Sequence, residues 1–192
     1  MRKVKKQMFN FENMGEKNLY DIIICGGGIT GLLLAKKLTD DNYFKNHKIA
    51  LIEKEDKNKN DRTISFWEEG KGEWDNIIYG SWNNAIFISD EYESSFELSP
   101  YTYKTIRGID FYNYFKKKLD NKSNFKLIKE NIIKIKSDNR FSYVKTTNKE
   151  YSAARVFSSI PNLEYKSQTS IPVLQQHFIG WFVKTQNSIF TP

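Results

Sequence analysis

Three glycines at fixed spacing, Gly26, Gly28 and Gly31, lie within Gly26-Gly27-Gly28-Ile29-Thr30-Gly31, and Glu53 follows 22 residues after the last of them. This G-x-G-x-x-G pattern suits recognition of a pyrophosphate and a ribose. The first glycine permits a tight turn out of a strand, the second lets a pyrophosphate approach the backbone, and the third lets helix and strand pack closely. The N–H groups and positive end of a helix starting near Ile29 then face the phosphates. An acid about 20 residues on is placed to accept a hydrogen bond from a ribose hydroxyl. The competing reading is a glycine-rich turn before an ordinary helix, so the flanking elements decide.

Those elements favour the nucleotide. Tyr20-Asp21-Ile22-Ile23-Ile24-Cys25 is a short apolar run rich in β-branched residues, which predicts a buried parallel strand. Ile29 to Leu38 is expected as a helix through Leu32, Leu33, Leu34, Ala35 and Leu38, and Lys48 to Glu53 as a second strand. The three form a βαβ unit with a right-handed crossover. Asp56 to Asp61 is a polar loop. Beyond it the pattern is less regular: Thr63 to Trp67, Ala85 to Ser89 and Phe96 to Leu98 are short strand candidates. Asp110 to Leu119 is expected as a helix, with Phe111, Tyr114, Phe115 and Leu119 at helical spacing, Asp110 as N-cap and lysines in the last turns. Phe125 to Lys129, Ile132 to Lys136 and Phe141 to Thr146 alternate as strands around Ser137-Asp138-Asn139. Ala154 to Ile160 and Phe178 to Thr185 are the last strand candidates.

Composition excludes several classes. The chain has 192 residues, 39% of them hydrophobic, which is lean for a soluble domain. Leu, Ile, Val and Phe together make about 27%, above the ~20% level that suggests disorder. No apolar run approaches the ~18–20 residues that span a bilayer, and the basic stretch Met1 to Lys6 is followed by no apolar segment of a secretory signal. One cysteine, Cys25, excludes a disulfide framework and a Cys-rich zinc site, so no metal is expected and the setting is cytoplasmic. Cys25 itself is expected to act as a small apolar residue. The net charge of +7 comes from 25 Lys against 5 Arg, scattered among Asn and Ile. Nucleic-acid readers gather basic residues on one face and depend on Arg, so no nucleic-acid partner is expected. A weak attraction to an anionic membrane surface fits the charge better.

An acid at the end of the second strand disfavours a 2′-phosphate and leaves NAD or FAD. A classical NAD domain continues as alternating strands and helices, whereas this chain turns to irregular and antiparallel structure, which favours FAD. The expected fold class is therefore α/β: a Rossmann-like FAD-binding domain of the glutathione-reductase type with antiparallel β insertions.

Four segments beyond the glycine fingerprint resemble the flavin-dependent lycopene cyclases of carotenoid synthesis. They are Asp61-Arg62-Thr63-Ile64-Ser65-Phe66-Trp67-Glu68, Tyr103 to Tyr112, Ala154 to Ser159, and Gln175-Gln176-His177-Phe178-Ile179-Gly180-Trp181. The resemblance covers nearly all of residues 19–192. It implies a reaction without net redox change, in which reduced FAD assists protonation of a lycopene end group and the carbocation closes into a β-ring. NAD(P)H would be the possible reductant, and the lipid-dissolved substrate implies peripheral membrane association. Such chemistry needs a low-dielectric pocket, an acid able to protonate a C=C bond, and a group that stabilises positive charge. Trp67 and Trp181, inside family-like segments, are substrate-pocket candidates through cation–π contact. Arg62 and Arg107 are candidates for flavin phosphate or neighbouring backbone, with solvated surface arginines as the alternative, and Ile132 joins the cofactor contacts. For His177, beside Phe178, a structural role is favoured over a proton shuttle.

Two departures bear on activity. The family often places a carboxylate just after the Gly-Trp pair, at the position of Phe182 or Lys184, and neither residue can act as that acid. The catalytic acid therefore stays unassigned, and the alternatives are a non-catalytic FAD-binding fragment or a flavin-dependent oxidoreductase or monooxygenase of the same superfold. The chain is also about half the length of a complete cyclase, so it is expected to be a truncated N-terminal half whose missing part could be a separate chain. The expected organisation is a polar leader over 1–18 and an FAD-binding domain over 19–160, with 63–109 contributing to a cap region. The start of a substrate-binding region follows over 161–192.

Overall fold

Strand β1 (Leu19–Cys25) is the centre from which the first part of the fold grows in the computed structural model, which describes residues 18–160 and Gln186. Its last six residues are all buried except Asp21, and strands pair along both of its edges. On one side it pairs in parallel with β2 (Ile49–Glu53), which pairs in parallel with β8 (Phe125–Lys129). On the other it pairs in parallel with β11 (Glu150–Ser158), Cys25 opposite Ser158. The first half of β11 also pairs antiparallel with β10 (Ser142–Thr146), and β10 with β9 (Ile132–Ser137). The six-stranded order is β8-β2-β1-β11-β10-β9. The α/β class expected from the sequence is the one observed.

Strand periodicity splits the buried residues between two faces. Ile23 and Cys25 share a cluster with Ala50, Ile52, Ile128, Val144, Tyr151 and Ala153. Ile22 and Ile24 point the other way with Ile49 and Leu51, and helix α1 (Ile29–Asp40) contacts β1 and β2. α1 buries Gly31, Leu32, Ala35, Leu38 and Thr39, an apolar stripe at helical spacing.

The chain divides into two compact units, residues up to 56 with 115–160, and residues 57–114. In the second, β7 (Tyr101–Arg107) is the middle strand, antiparallel to β3 (Thr63–Glu69) and to β4 (Gly80–Trp82). A separate two-stranded ribbon joins β5 (Asn84–Ile88) and β6 (Glu93–Glu97). Helix α2 (Gly108–Leu119) carries the chain from the second unit into the first, with Phe111, Phe115 and Leu119 buried four residues apart.

Three expectations need correction, and β4 and β7 lie where the sequence predicts no strand. On β7, Lys104 occupies an inward position beside Ile106, and a lysine there hides the alternation. α2 begins two residues earlier than expected, so Asp110 is not its N-cap. Asp110 stands in the first turn, where Arg107 Nε donates to Oδ2 at 2.6 Å and Nη2 to Oδ1 at 3.1 Å. The strand placed at Phe96 to Leu98 is β6, ending at Glu97, and the one placed at Ala154 to Ile160 is β11, starting at Glu150. Phe178 to Thr185 lies outside the described residues.

Lys104 is only 7% exposed at its side chain, and its ammonium is fully engaged. Nζ donates to Asp75 Oδ1 at 2.7 Å, Glu68 Oε2 at 2.9 Å and the Gly70 carbonyl at 2.9 Å. Three donors meet three acceptors, which is what a buried ammonium requires. The hydrogen bond to Asp75, then that to Glu68, raises the Lys104 amine above its ordinary value. Lys104 in turn holds the Asp75 carboxyl below the usual carboxylate range. A lowered carboxylate contributes stability above its unfolded pKa and loses it as pH falls through the folded value. Lys104→Met is expected to lower the melting temperature at pH 7. The gap from wild type should narrow below about pH 4, as Asp75 protonates in both proteins; thermal unfolding across pH 2–7 checks this.

Candidate functional site

The site grows from the turn that joins β1 to α1. Gly26 has φ +101°, a backbone state that side chains disfavour, and its N–H donates to the Ile52 carbonyl at 2.9 Å. A Cβ there would also lie 2.5 Å from Ser159 Oγ. At Gly31 a Cβ would come within 1.9 Å of the Gly26 carbonyl oxygen, so the helix can lie this close to the turn only without a side chain. Among the described residues, an added Cβ at Gly28 meets nothing within 4 Å. Packing within them therefore does not require glycine at 28, and the open space in front of it suits a ligand. The three motif glycines thus occupy three physically different positions.

Gly28 is also the N-cap of α1, and among the described residues no side chain caps the helix. Its first turn holds no acidic residue. A helix start of this kind presents backbone N–H groups and a partial positive charge, the environment that binds phosphate. Glu53, the last residue of β2, reaches the same turn: its Oε2 accepts the Gly27 N–H at 2.7 Å, and its Oε1 accepts the Glu55 N–H at 2.8 Å. Gly27 itself is tight, since a Cβ would lie 3.0 Å from the Glu53 side chain and 3.2 Å from Leu51. The arrangement joins a phosphate-binding turn to a carboxylate that can accept a hydroxyl. A pyrophosphate against Gly28 and a ribose at Glu53 fit these residues.

Cys25 closes β1 directly behind the turn and is fully buried. Burial pushes its thiol up to about 12, so it is not a thiolate at neutral pH. This accords with its expected apolar role.

The remaining described candidates are placed as follows. Ile132 opens β9 at the far edge of the six-stranded sheet and packs against the core cluster. Arg62, Arg107 and Trp67 belong to the second unit. The Arg62 carbonyl accepts the Gly108 N–H at 2.7 Å, and its exposed guanidinium lies 3.9 Å from Asp61. Arg107 is paired with Asp110 and lies over the Tyr79 ring at 4.6 Å. Trp67 is 57% exposed, its ring 4.7 Å from that of Tyr103. Trp181, His177, Phe182 and Lys184 lie outside the described residues. Two residues of the site were missed in the sequence. Gly27 carries a visible signal, since a glycine between the motif positions exceeds what G-x-G-x-x-G demands, whereas Ser159 ends the family-like segment Ala154 to Ser159 but nothing in that segment marks a contact with the turn. Among the described residues no three His, Cys, Asp or Glu side chains form a group able to hold a metal, and no helix is long and apolar enough to cross a membrane.

Residues 21–192 match the sequence model of the family described as "Lycopene cyclase protein". None of the curated proteins compared matches the chain. Among solved structures, a quadruple mutant of PqsL from P. aeruginosa is similar at 16% identity and TM-score 0.61, covering 84% of this chain and 48% of that one. The p-nitrophenol 4-monooxygenase PnpA from Pseudomonas putida is similar at 14% identity and TM-score 0.58, covering 79% of this chain and 43% of that one. The flavin-dependent brominase Bmp2 is similar at 15% identity and TM-score 0.53, covering 78% and 40%. The chain thus spans less than half the length of these three structures. They share its fold, the Rossmann-like α/β fold of the glutathione-reductase type.

The glycine geometry separates stability from ligand space. Gly31→Ala is expected to destabilise the protein by about 2–4 kcal/mol, since its Cβ collides with backbone. Gly28→Ala should stay within about 1 kcal/mol of wild type. Urea unfolding of the two variants measures both.

Proposed function

Since the chain belongs to the lycopene cyclase protein family, we propose that its first unit binds FAD and that it is the FAD-binding part of a protein that closes lycopene end groups into β-rings. The observation that carries this reading is the glycine turn itself: open space at Gly28, an uncapped α1 start, and Glu53 fixed beside Gly27. The turn and helix start would hold the pyrophosphate, and Glu53 would accept from the adenosine ribose, where a 2′-phosphate would meet a like charge. The β9–β10–β11 return to the edge of β1, in place of a further helical crossover, supports FAD over NAD.

When bound and reduced, FAD would supply an electron-rich group that assists protonation of the polyene. NAD(P)H is the reductant this reading takes. The chain's own contribution is to bind and orient the dinucleotide through Gly26, Gly28, Gly31 and Glu53. Ring closure adds a proton to one double bond, joins the cation to a neighbouring double bond and releases a proton elsewhere, so no electrons are gained or lost. Trp67 against Tyr103 supports an aromatic surface for that cation in the second unit. A lipid-dissolved substrate makes contact with a membrane surface part of the same reading.

A second reading has the chain binding FAD without performing the cyclisation. It is favoured by one observation: the family's carboxylate position falls on Phe182 or Lys184, and neither is an acid. Purified protein incubated with FAD should carry a yellow flavin spectrum after desalting, and Gly28→Val should abolish it, because that side chain fills the pyrophosphate's place. A colourless wild-type protein contradicts the proposal. Expression in a lycopene-accumulating bacterial host decides between the two readings. β-Carotene establishes cyclisation, and flavin-loaded protein with unchanged lycopene establishes the second.

A further inference from the structure

Ser159 stands one residue beyond the Cys25–Ser158 pair that ends the β1–β11 ladder, and so opposite Gly26. Both of its donors converge on one acceptor. Its backbone N–H donates to the Cys25 carbonyl at 3.0 Å, and its Oγ–H donates to the same oxygen at 3.2 Å. The hydroxyl also occupies the place of the missing Gly26 side chain, 2.5 Å from where a Cβ would stand. The turn is therefore held from both flanks. From β2, Glu53 accepts the Gly27 N–H; from the end of β11, Ser159 secures the last carbonyl of β1 and backs Gly26.

We infer that Ser159 is a positioning residue for the dinucleotide: its hydroxyl fixes the Gly26 turn so that the N–H groups ahead of it face the pyrophosphate. The inference rests on the FAD reading above and adds a residue, 134 positions away from Cys25 in sequence, to the set that shapes the turn. The physical basis is the left-handed state of Gly26. A glycine loses more conformational freedom on ordering than any other residue, so a turn built on one depends on outside contacts to stay ordered. With the hydroxyl removed, Cys25 keeps its backbone bond, but Gly26 faces an empty site and the turn can rotate. A ligand must then order the turn as it binds, and its affinity falls.

The test compares Ser159→Ala, Ser159→Thr and wild type by FAD titration, with melting temperatures measured on the FAD-free proteins. Loss of one neutral hydrogen bond corresponds to about a three- to tenfold change in an equilibrium constant. Ser159→Ala should bind FAD about three- to tenfold more weakly, while Ser159→Thr, which keeps the hydroxyl, stays within about twofold of wild type. Amide exchange in the FAD-free proteins should show faster exchange at Gly26 and Gly27 in Ser159→Ala, with the β2 interior unchanged. A merely structural role would instead lower the melting temperature and speed exchange across the sheet. Wild-type affinity in Ser159→Ala, in a protein whose wild type binds FAD, overturns the positioning role alone. A wild type that takes up no FAD removes the FAD reading, and this role for Ser159 with it.

Discussion

The contact between Gly31 and the Gly26 carbonyl sets the rest of the first unit. A Cβ at Gly31 would come within 1.9 Å of that oxygen, so α1 can follow β1 this closely only at a residue without one. Close approach brings the start of α1 to the end of the strand and lays Leu32, Ala35 and Leu38 against the sheet. It also fixes where β2 must end, because the Gly26 N–H bonds to Ile52 and the Gly27 N–H to Glu53. One backbone constraint thus places the turn, the helix dipole and the carboxylate together. That arrangement presents backbone N–H groups and a carboxylate in one place, as the proposed pyrophosphate and ribose site requires.

The sequence made this unit legible because its signals are local. Strand, turn, helix and strand each occupy a short uninterrupted segment, and each motif glycine does its work within a few residues of the others. The hairpin strands and α2 were legible for the same reason, through alternation or helical spacing. The contact of Ser159 with Cys25 was not legible, although Ser159 ends a family-like segment, because no local pattern encodes a contact between distant strand ends. Asp110 was assigned the wrong partner for a related reason. An acid near a helix start resembles a cap, yet a neighbouring Arg107 offers two charged donors in place of one backbone N–H.

The second unit was harder to read because its central strand hides a charge. Lys104 faces inward on β7 and looks like a surface residue until Asp75, Glu68 and the Gly70 carbonyl are brought to it by folding. The polar network takes the place of an apolar contact, at a position where alternation would otherwise have announced a strand. The aromatic residues of this unit follow a similar logic. Trp74 packs edge-on against Phe66 and Phe111, whereas Trp67 stays exposed beside Tyr103. Residue type alone does not separate these two tryptophans; only the tertiary contacts do.

We propose that the Gly26–Gly31 turn and Glu53 form one site for the adenosine diphosphate portion of FAD, and competition at equilibrium separates that site from one for the flavin half. FAD is titrated into the flavin-free protein by fluorescence, and ADP or FMN is then added in excess. One FAD should bind per chain, displaced by ADP and untouched by FMN, which has no adenosine and no pyrophosphate. Displacement by FMN with no effect of ADP would place recognition on the flavin and its ribityl phosphate, and would remove the glycine turn and Glu53 from the site.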